Sequence, residues 1–140
     1  MANLPEIKVL GISGSLRRES YNTAALREAI SLAPSGMHIE MADIAEIPLY
    51  NEDVFALGFP PAVERIRQQI RVADALLWAT PEYNYSVLGV LKNAIDWASR
   101  PPDNPLPASR LQFLGPVPDA SVLLVRSITC AKVWCFSMCT

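Results

Sequence analysis

Between Leu10 and Asn22 the chain reads LGISGSLRRESYN, a polar loop that joins two segments of regular periodicity. Residues 7–12 are mostly apolar and predict a buried β-strand, whereas residues 22–32 carry apolar positions at helical spacing. A strand, a polar loop and a helix in this order predict one unit of an α/β fold.

The loop itself is rich in groups that bind anions. Backbone N–H groups, serine hydroxyls and the guanidinium of Arg17 lie between the carboxyl end of a strand and the amino end of a helix, where phosphates bind. Gly14 is followed by Ser15 and Leu16 rather than by Lys and Ser/Thr, and GxGxxG spacing is absent. The loop is therefore neither a Walker loop nor a dinucleotide fingerprint. On these residues alone, a phosphate site and a tight strand-to-helix turn both remain open.

A second unit of the same kind follows later in the chain. Residues 75–79 (ALLWA) predict another buried strand, residues 80–86 (TPEYNYS) predict a loop, and helical spacing resumes over residues 89–97. Tyrosines can pack beside a flat ring while backbone groups hydrogen-bond to its edge. A phosphate at the first loop and a flat heterocycle at the second indicate a mononucleotide, and a flavin fits best.

These motifs together resemble the NADPH-dependent FMN reductase family, which includes quinone, chromate and azo-dye reductases. The resemblance rests on GSLR (14–17) with Ser20 and Asn22, on PEYNYS (81–86) and on LKNAIDW (91–97), and it covers residues 6–106. It implies a flavodoxin-like, doubly wound parallel sheet with FMN at the carboxyl ends of the strands. Residues 1–106 are then the FMN-binding region, and residues 107–140 form a separate, atypical tail.

The resemblance also implies a cofactor site and a reaction. The first motif would hold the FMN phosphate, and the second would line the isoalloxazine ring. The reaction would be hydride transfer from NADPH or NADH to FMN, and then reduction of free flavin, a quinone or another small acceptor such as chromate or an azo compound. Family members are usually dimers or tetramers. The implied FMN-binding residues are Ser15, Leu16, Arg17, Ser20, Asn22, Pro81, Glu82, Tyr83, Asn84 and Tyr85.

Hydride transfer needs no protein nucleophile, and we predict no catalytic side chain and no metal site. With 140 residues, 51% of them apolar, and a formal charge of −2, the chain is predicted to form one globular domain. This charge gives no electrostatic case for binding nucleic acid or an anionic membrane. Neither a signal peptide nor an apolar run of ~20 residues is evident, so we expect a cytoplasmic protein.

The periodicity predicts strands over 7–12, 37–41 and 74–79, and helices over 22–32, 60–72 and 89–99. Alternating strands and helices favour a parallel sheet. The charged residues of the middle helix are interpreted as pairs three or four residues apart on a solvated face. They are Glu64, Arg65, Arg67 and Arg71.

The tail from Pro107 to Thr140 departs from the family pattern. Six of the 12 prolines lie between Pro101 and Pro118, and all three cysteines lie at positions 130, 135 and 139. Family members continue with a fourth strand, a Gly-rich third flavin loop, a helix, a fifth strand and a last helix. We therefore expect a sheet that is incomplete at this edge, with at most one further strand, residues 121–125, in fourth position. The cysteine spacing matches no standard zinc pattern, and the odd count leaves one thiol over.

The genetic code offers an explanation of this tail. For residues 107–129, synonymous codons can be chosen so that translation in the reading frame that begins at the third base of each codon gives GKPAAILGASPGRFGTARSQYHL. This alternative reading supplies an apolar strand, a Gly/Ser loop and a basic helix start, so we interpret the tail as a frameshifted reading.

Two alternatives to an active reductase remain open: a flavodoxin-type FMN-binding electron carrier, and an inactive truncated or frameshifted product. The acidity and the Ser/Thr-rich phosphate loop expected of a carrier are absent.

Overall fold

The structure is a computed structural model that describes residues 6–106, 111–116 and 122–125. The strands are β1 (Ile7–Ser13), β2 (Met37–Ala42), β3 (Ala75–Ala79), β4 (Glu82–Tyr83), β5 (Ser86–Val87), β6 (Leu111–Pro116) and β7 (Val122–Val125). The helices are α1 (Tyr21–Ser31), α2 (Glu52–Phe55), α3 (Pro61–Val72) and α4 (Gly89–Ala98). The three predicted strands and three predicted helices are confirmed, with ends that differ by one residue or less.

Five strands form the main sheet in the order β2-β1-β3-β6-β7. β1 lies between β2 and β3 and runs parallel to both. This is the order of flavodoxin-like sheets, in which the crevice between the first and third strands is the topological switch point where ligands bind. The predicted α/β, flavodoxin-like fold class is thereby confirmed.

The sheet edge after Leu106 differs from the sequence prediction in one respect. We expected at most one strand there, in fourth position, but β6 takes the fourth position, parallel to β3, and β7 takes the fifth. β7 is antiparallel to β6. Only five residues, 117–121, join the two strands, whereas a parallel connection needs a crossover of a dozen or more residues. The edge therefore lacks the crossover of an all-parallel doubly wound sheet, in line with the predicted incompleteness.

Local sequence explains where the helices begin. Ser20 is the N-cap of α1, and its hydroxyl oxygen accepts a hydrogen bond from the backbone N–H of Thr23. Pro60 precedes α3 and Pro61 opens it, which a first helical turn tolerates because its N–H groups have no partner within the helix. These caps set the length of the loops that precede the helices, and the first of those loops is the predicted phosphate site.

The main core cluster lies between the sheet and α3 and α4, and Leu26 of α1 is buried against Gly11 of β1. Trp78 on β3 is 2% exposed, and Trp97 on α4 is fully buried. Trp97 donates from Nε1 to the carbonyl oxygen of Pro48, 2.8 Å away. The other large side chains exposed by less than 2% are Ile12, Leu26, Val63, Ile66, Arg67, Leu76 and Leu91. Within the described ranges, no helix is both long and apolar enough to span a membrane.

The prediction that all four charged residues of α3 lie on a solvated face is wrong for Arg67. Its side chain is completely buried and donates to the carbonyl oxygens of Ala98 and Arg100, at 2.7 and 3.0 Å, at the end of α4. Its guanidinium also stacks on Phe59, with Cζ 4.0 Å from the ring centroid. Arg67 replaces the water that would otherwise bind these carbonyls, and so it joins α3 to α4.

The remaining charges of α3 do pair at the surface. Arg65 contacts Glu46 at 3.0 Å, and Arg71 contacts both Glu64, at 3.0 Å, and Asp103, at 2.7 Å. The hydrogen bonds from Arg71 stabilise the charged carboxylate and hold the pKa of Asp103 below its usual value. The solvated face is as predicted, but the spacing is not: these pairs join α3 to other segments or link residues seven apart, instead of residues three or four apart.

Candidate functional site

The carboxyl ends of β1 and β3 bring the two predicted loops together. Ser13 and Ala79, the last residues of the two strands, are register partners. The first residue after β1, Gly14, donates its N–H to the carbonyl oxygen of Ala79 at 2.7 Å. The 14–20 loop and the 80–87 segment therefore leave the sheet side by side, at the switch point of the fold.

Gly14 allows this close approach because it has no side chain. A Cβ atom at Gly14 would lie 2.5 Å from Oγ1 and 2.8 Å from Cβ of Thr80, and 3.2 Å from Cδ2 of Leu91. Thr80 is buried and donates its hydroxyl to the carbonyl oxygen of Pro81 at 3.0 Å. The sequence analysis did not identify Thr80, although its position directly after a buried strand was a usable signal.

We expect Gly14→Ala to lower the free energy of unfolding by about 1–3 kcal/mol, the usual cost of overpacking. Thr80 is short and β-branched, so it has little freedom to turn away from the new methyl group. Gly89→Ala is the control, because nothing lies within 4 Å of a Cβ at Gly89, in the first turn of α4. Urea denaturation of both variants checks the prediction, and equal stabilities for the two would contradict it.

The first loop supplies hydrogen-bond donors of several kinds. Ser15 is partly buried, whereas Leu16 and Arg17 are exposed. Ser20 and Asn22 are buried, with 5% and 7% of their surfaces exposed. The Ser20 hydroxyl accepts from the N–H of Thr23 as the cap of α1 and retains its own proton as a donor.

Asn22 adds a side-chain amide to the groups at this loop. It lies in the first turn of α1, and 7% of its surface is exposed. Together with the Ser15 hydroxyl and the Arg17 guanidinium, it forms a donor set suited to a phosphate.

The second loop is a β-hairpin, which the sequence analysis did not predict. β4 and β5 pair antiparallel, and the two residues between them, Asn84 and Tyr85, have φ angles of 52° and 58°. Positive φ at both central positions defines a type I′ turn, for which a tyrosine is an unusual residue. The hairpin holds Tyr83 and Tyr85 in the solvent, 60% and 75% exposed.

The remaining predicted residues of this loop lie on the same hairpin or at its start. Pro81 is partly buried just before β4, and Glu82 and Asn84 are exposed. The structure therefore brings all ten predicted site residues to two neighbouring segments, residues 15–22 and the hairpin with the residue before it. The tyrosine rings and the polar groups beside them offer a surface that a flat heterocycle can cover.

Asn93 on α4 belongs to the LKNAIDW motif, but no role was predicted for it from the sequence. Its side chain accepts from the N–H of Tyr50 and donates to the carbonyl oxygen of Pro48, both at 2.8 Å. The Tyr50 ring meets Trp97 edge to face at 4.9 Å, and a hydrogen bond to Glu52 raises the pKa of Tyr50. The segment after β2 is thus fixed to the helix that follows the hairpin. The signal was available, since Asn93 and Trp97 are four residues apart on one helix.

Among the described residues, no group of three or more His, Cys, Asp or Glu side chains is arranged to hold a metal ion. The three cysteines of the tail lie outside the described residues. The prediction of a frameshifted tail also stays a prediction, because most of the tail falls outside the same ranges.

A sequence model described as NADPH-dependent FMN reductase matches residues 7–115. An NAD(P)H-dependent FMN reductase of Pseudomonas aeruginosa is 74% identical over 110 residues, which are 79% of this chain and 60% of that protein. A quinone reductase of Escherichia coli is 50% identical over 103 residues, which are 72% of this chain and 55% of that protein. The chain therefore spans little more than half the length of these relatives.

Solved structures agree with these sequence matches. A flavoenzyme NAD(P)H:(acceptor) oxidoreductase from Paracoccus denitrificans superposes with a TM-score of 0.71 at 36% identity, over 78% of this chain and 60% of that one.

Proposed function

The chain belongs to the NADPH-dependent FMN reductase family, and we propose that it binds FMN at the carboxyl ends of β1 and β3 to serve NAD(P)H-dependent reduction of a quinone or another small acceptor. Free flavin, chromate and azo compounds are further candidate acceptors. NADPH and NADH are both candidate donors.

One observation carries this proposal. The loop of anion-binding donors follows β1, the hairpin with two exposed tyrosines follows the neighbouring strand β3, and the two therefore lie side by side. A phosphate at the first loop and a flat ring at the second are two parts of one FMN molecule. The ligand would thus lie at the topological switch point, where ligands bind in open α/β sheets.

We assign phosphate binding to the residues of the first loop. Arg17 offers a planar fork of N–H donors that suits a phosphate. Ser15 and Ser20 offer hydroxyl protons, and Asn22 offers a side-chain amide two residues after the cap of α1. Leu16 contributes backbone, and its side chain is exposed.

The hairpin would hold the ring. Tyr83 and Tyr85 provide aromatic surfaces beside it, while Asn84 and the backbone from Pro81 to Glu82 reach its polar edge. The tight turn at Asn84 and Tyr85 fixes these groups before the ligand arrives, which lowers the entropy that binding must overcome.

When bound, FMN supplies the redox chemistry by taking up hydride equivalents from NAD(P)H and releasing electrons to an acceptor. The chain's own residues bind and orient the ligand, and none of them is assigned proton transfer or nucleophilic attack. The proposal includes a dimer or tetramer that acts in the cytoplasm, without nucleic-acid or membrane partners.

The experiment that tests this function measures NADPH and NADH oxidation by the full chain, with FMN and a soluble quinone added. Oxidation that depends on both FMN and the quinone supports the proposal. Binding of FMN without oxidation of either nucleotide would identify an electron carrier instead.

A second protein, identical except for its tail, shows how the tail affects FMN retention and turnover. In it, residues 107–140 are replaced by the alternative reading of the same codons, which begins GKPAAILGAS. We expect weaker FMN retention and slower turnover from the chain as it stands, and a gain in both after the replacement. Equal FMN retention and equal turnover in the two proteins would contradict the frameshift interpretation.

A further inference from the structure

Arg17 and Tyr21 contact each other at the proposed phosphate site. The guanidinium carbon of Arg17 lies 5.3 Å from the centroid of the Tyr21 ring, within the range of a cation–π interaction. Arg17 also donates from Nη2 to the backbone carbonyl of Glu19. Both contacts bend the arginine back over the start of α1, where Tyr21 is the first helical residue.

A ring and a phosphate compete for different parts of a guanidinium. An aromatic ring contacts the flat face of the cation, whereas a phosphate accepts hydrogen bonds from the N–H groups at its edge. Stacking therefore leaves the edge donors of Arg17 available, apart from the one bonded to Glu19. It also restricts a long side chain that would otherwise lose rotamer freedom on binding a ligand.

The position of Tyr21 gives it no evident part in the core. Its side chain is 79% exposed, while the neighbouring residues Ser20 and Asn22 are buried. Ser20, not Tyr21, caps the helix. An aromatic residue this exposed contributes little to folding, so its contact with Arg17 is its clearest role.

We propose that Tyr21 is a positioning residue for the phosphate of FMN, acting by holding the Arg17 guanidinium against its ring with the donor edge free. This inference rests on the proposed function, since it requires a phosphate at the first loop. Tyr21 itself touches neither the phosphate nor the flavin ring.

The test compares the affinities of the apo chain for FMN and for riboflavin, which lacks the phosphate, by quenching of flavin fluorescence. The variants are Tyr21→Ala, Tyr21→Phe, Arg17→Ala and the double variant of Tyr21→Ala with Arg17→Ala. Arg18→Ala is the charge control, because it removes one positive charge from the next residue. Thermal unfolding confirms that each variant is folded.

We expect Tyr21→Ala to weaken FMN binding roughly two- to fivefold, the effect of an exposed cation–π contact, and to leave riboflavin binding unchanged. Tyr21→Phe keeps the ring and should bind FMN like the unmodified chain. In the Arg17→Ala background, Tyr21→Ala should have no further effect, since its partner is absent.

Two results would overturn the role of Tyr21 while leaving the proposed function intact. One is an unchanged FMN affinity of Tyr21→Ala while Arg17→Ala is impaired, and the other is an equal loss of FMN and riboflavin affinity, which would place the ring on the flavin. If Arg17→Ala itself leaves the preference for FMN over riboflavin unchanged, the phosphate assignment fails, and the role of Tyr21 fails with it.

Discussion

Replacing Arg67 by methionine is expected to lower the free energy of unfolding by about 3–5 kcal/mol, because shielded carbonyl oxygens that lose their donors cost ~1–3 kcal/mol each. Most domains are stable by only ~5–15 kcal/mol, so this variant would be close to unfolding at moderate temperature. Methionine keeps most of the volume of the arginine stem, and the loss therefore measures hydrogen bonds rather than a cavity.

The size of this effect follows from what Arg67 satisfies. Its guanidinium donates to the carbonyl oxygens of Ala98, Arg100 and Asp103 and to the Asp103 carboxylate, at 2.7–3.0 Å. Without it, the end of α4 keeps carbonyl groups that are shielded from water and lack donors. The hydrogen bonds that join α3 to the end of α4 would be lost.

Arg71→Met provides the control on the same helix. Arg71 also contacts Asp103, but at a position open to solvent, where ion pairs contribute little. Urea denaturation should therefore show a much smaller loss for this variant than for Arg67→Met. Similar losses in the two variants would show that the burial of Arg67 does not set its contribution.

Replacing Arg17 by alanine is expected to weaken FMN binding by about 1.5–3 kcal/mol, the range for a hydrogen bond to a charged group. This corresponds to roughly a 10- to 150-fold higher Kd. Arg17 is exposed and its contacts are with Glu19 and Tyr21, so the fold should retain its stability.

Arg18→Ala distinguishes a specific contact from general attraction between a cation and an anion. Arg17→Ala and Arg18→Ala both change the net charge by one unit, but only Arg17→Ala removes the proposed phosphate contact. A titration with FMN at fixed ionic strength checks the difference. Equal affinities of the two variants would remove Arg17 from the phosphate site.

The part of the fold that positions the site could be predicted from the sequence because its signals are local. The apolar run at residues 7–12, the capping serine at position 20 and the prolines before α3 each determine an element through short-range physics. Parallel strands bring their carboxyl ends to one edge, and the two loops accordingly lie side by side.

Other features depend on contacts that local patterns do not reveal. The hairpin at Glu82–Val87 was missed because its turn residues, Asn84 and Tyr85, lack the glycine that usually marks a type I′ turn. The antiparallel β7 results from the short connection after Pro116 and not from any preference of its own residues.

Arg67 illustrates a signal that was present and misread. It shares one helical face with Val63, Ile66 and Ile70, at the spacing of a buried apolar stripe. Its charge suggested a solvated position, whereas its spacing indicated the core. Spacing was the better guide, because the end of α4 supplies carbonyl acceptors for a buried guanidinium.

The central claim is that FMN binds where β1 and β3 end. Backbone amide chemical shifts of the isotope-labelled chain, recorded during a titration with FMN, test it most directly. We predict saturable shifts that are largest at residues 14–22 and 82–87, with those at 14–22 strongly reduced when riboflavin replaces FMN. Largest shifts on α3, at residues 61–72, or shifts at 14–22 that are equal for FMN and riboflavin, would contradict the account.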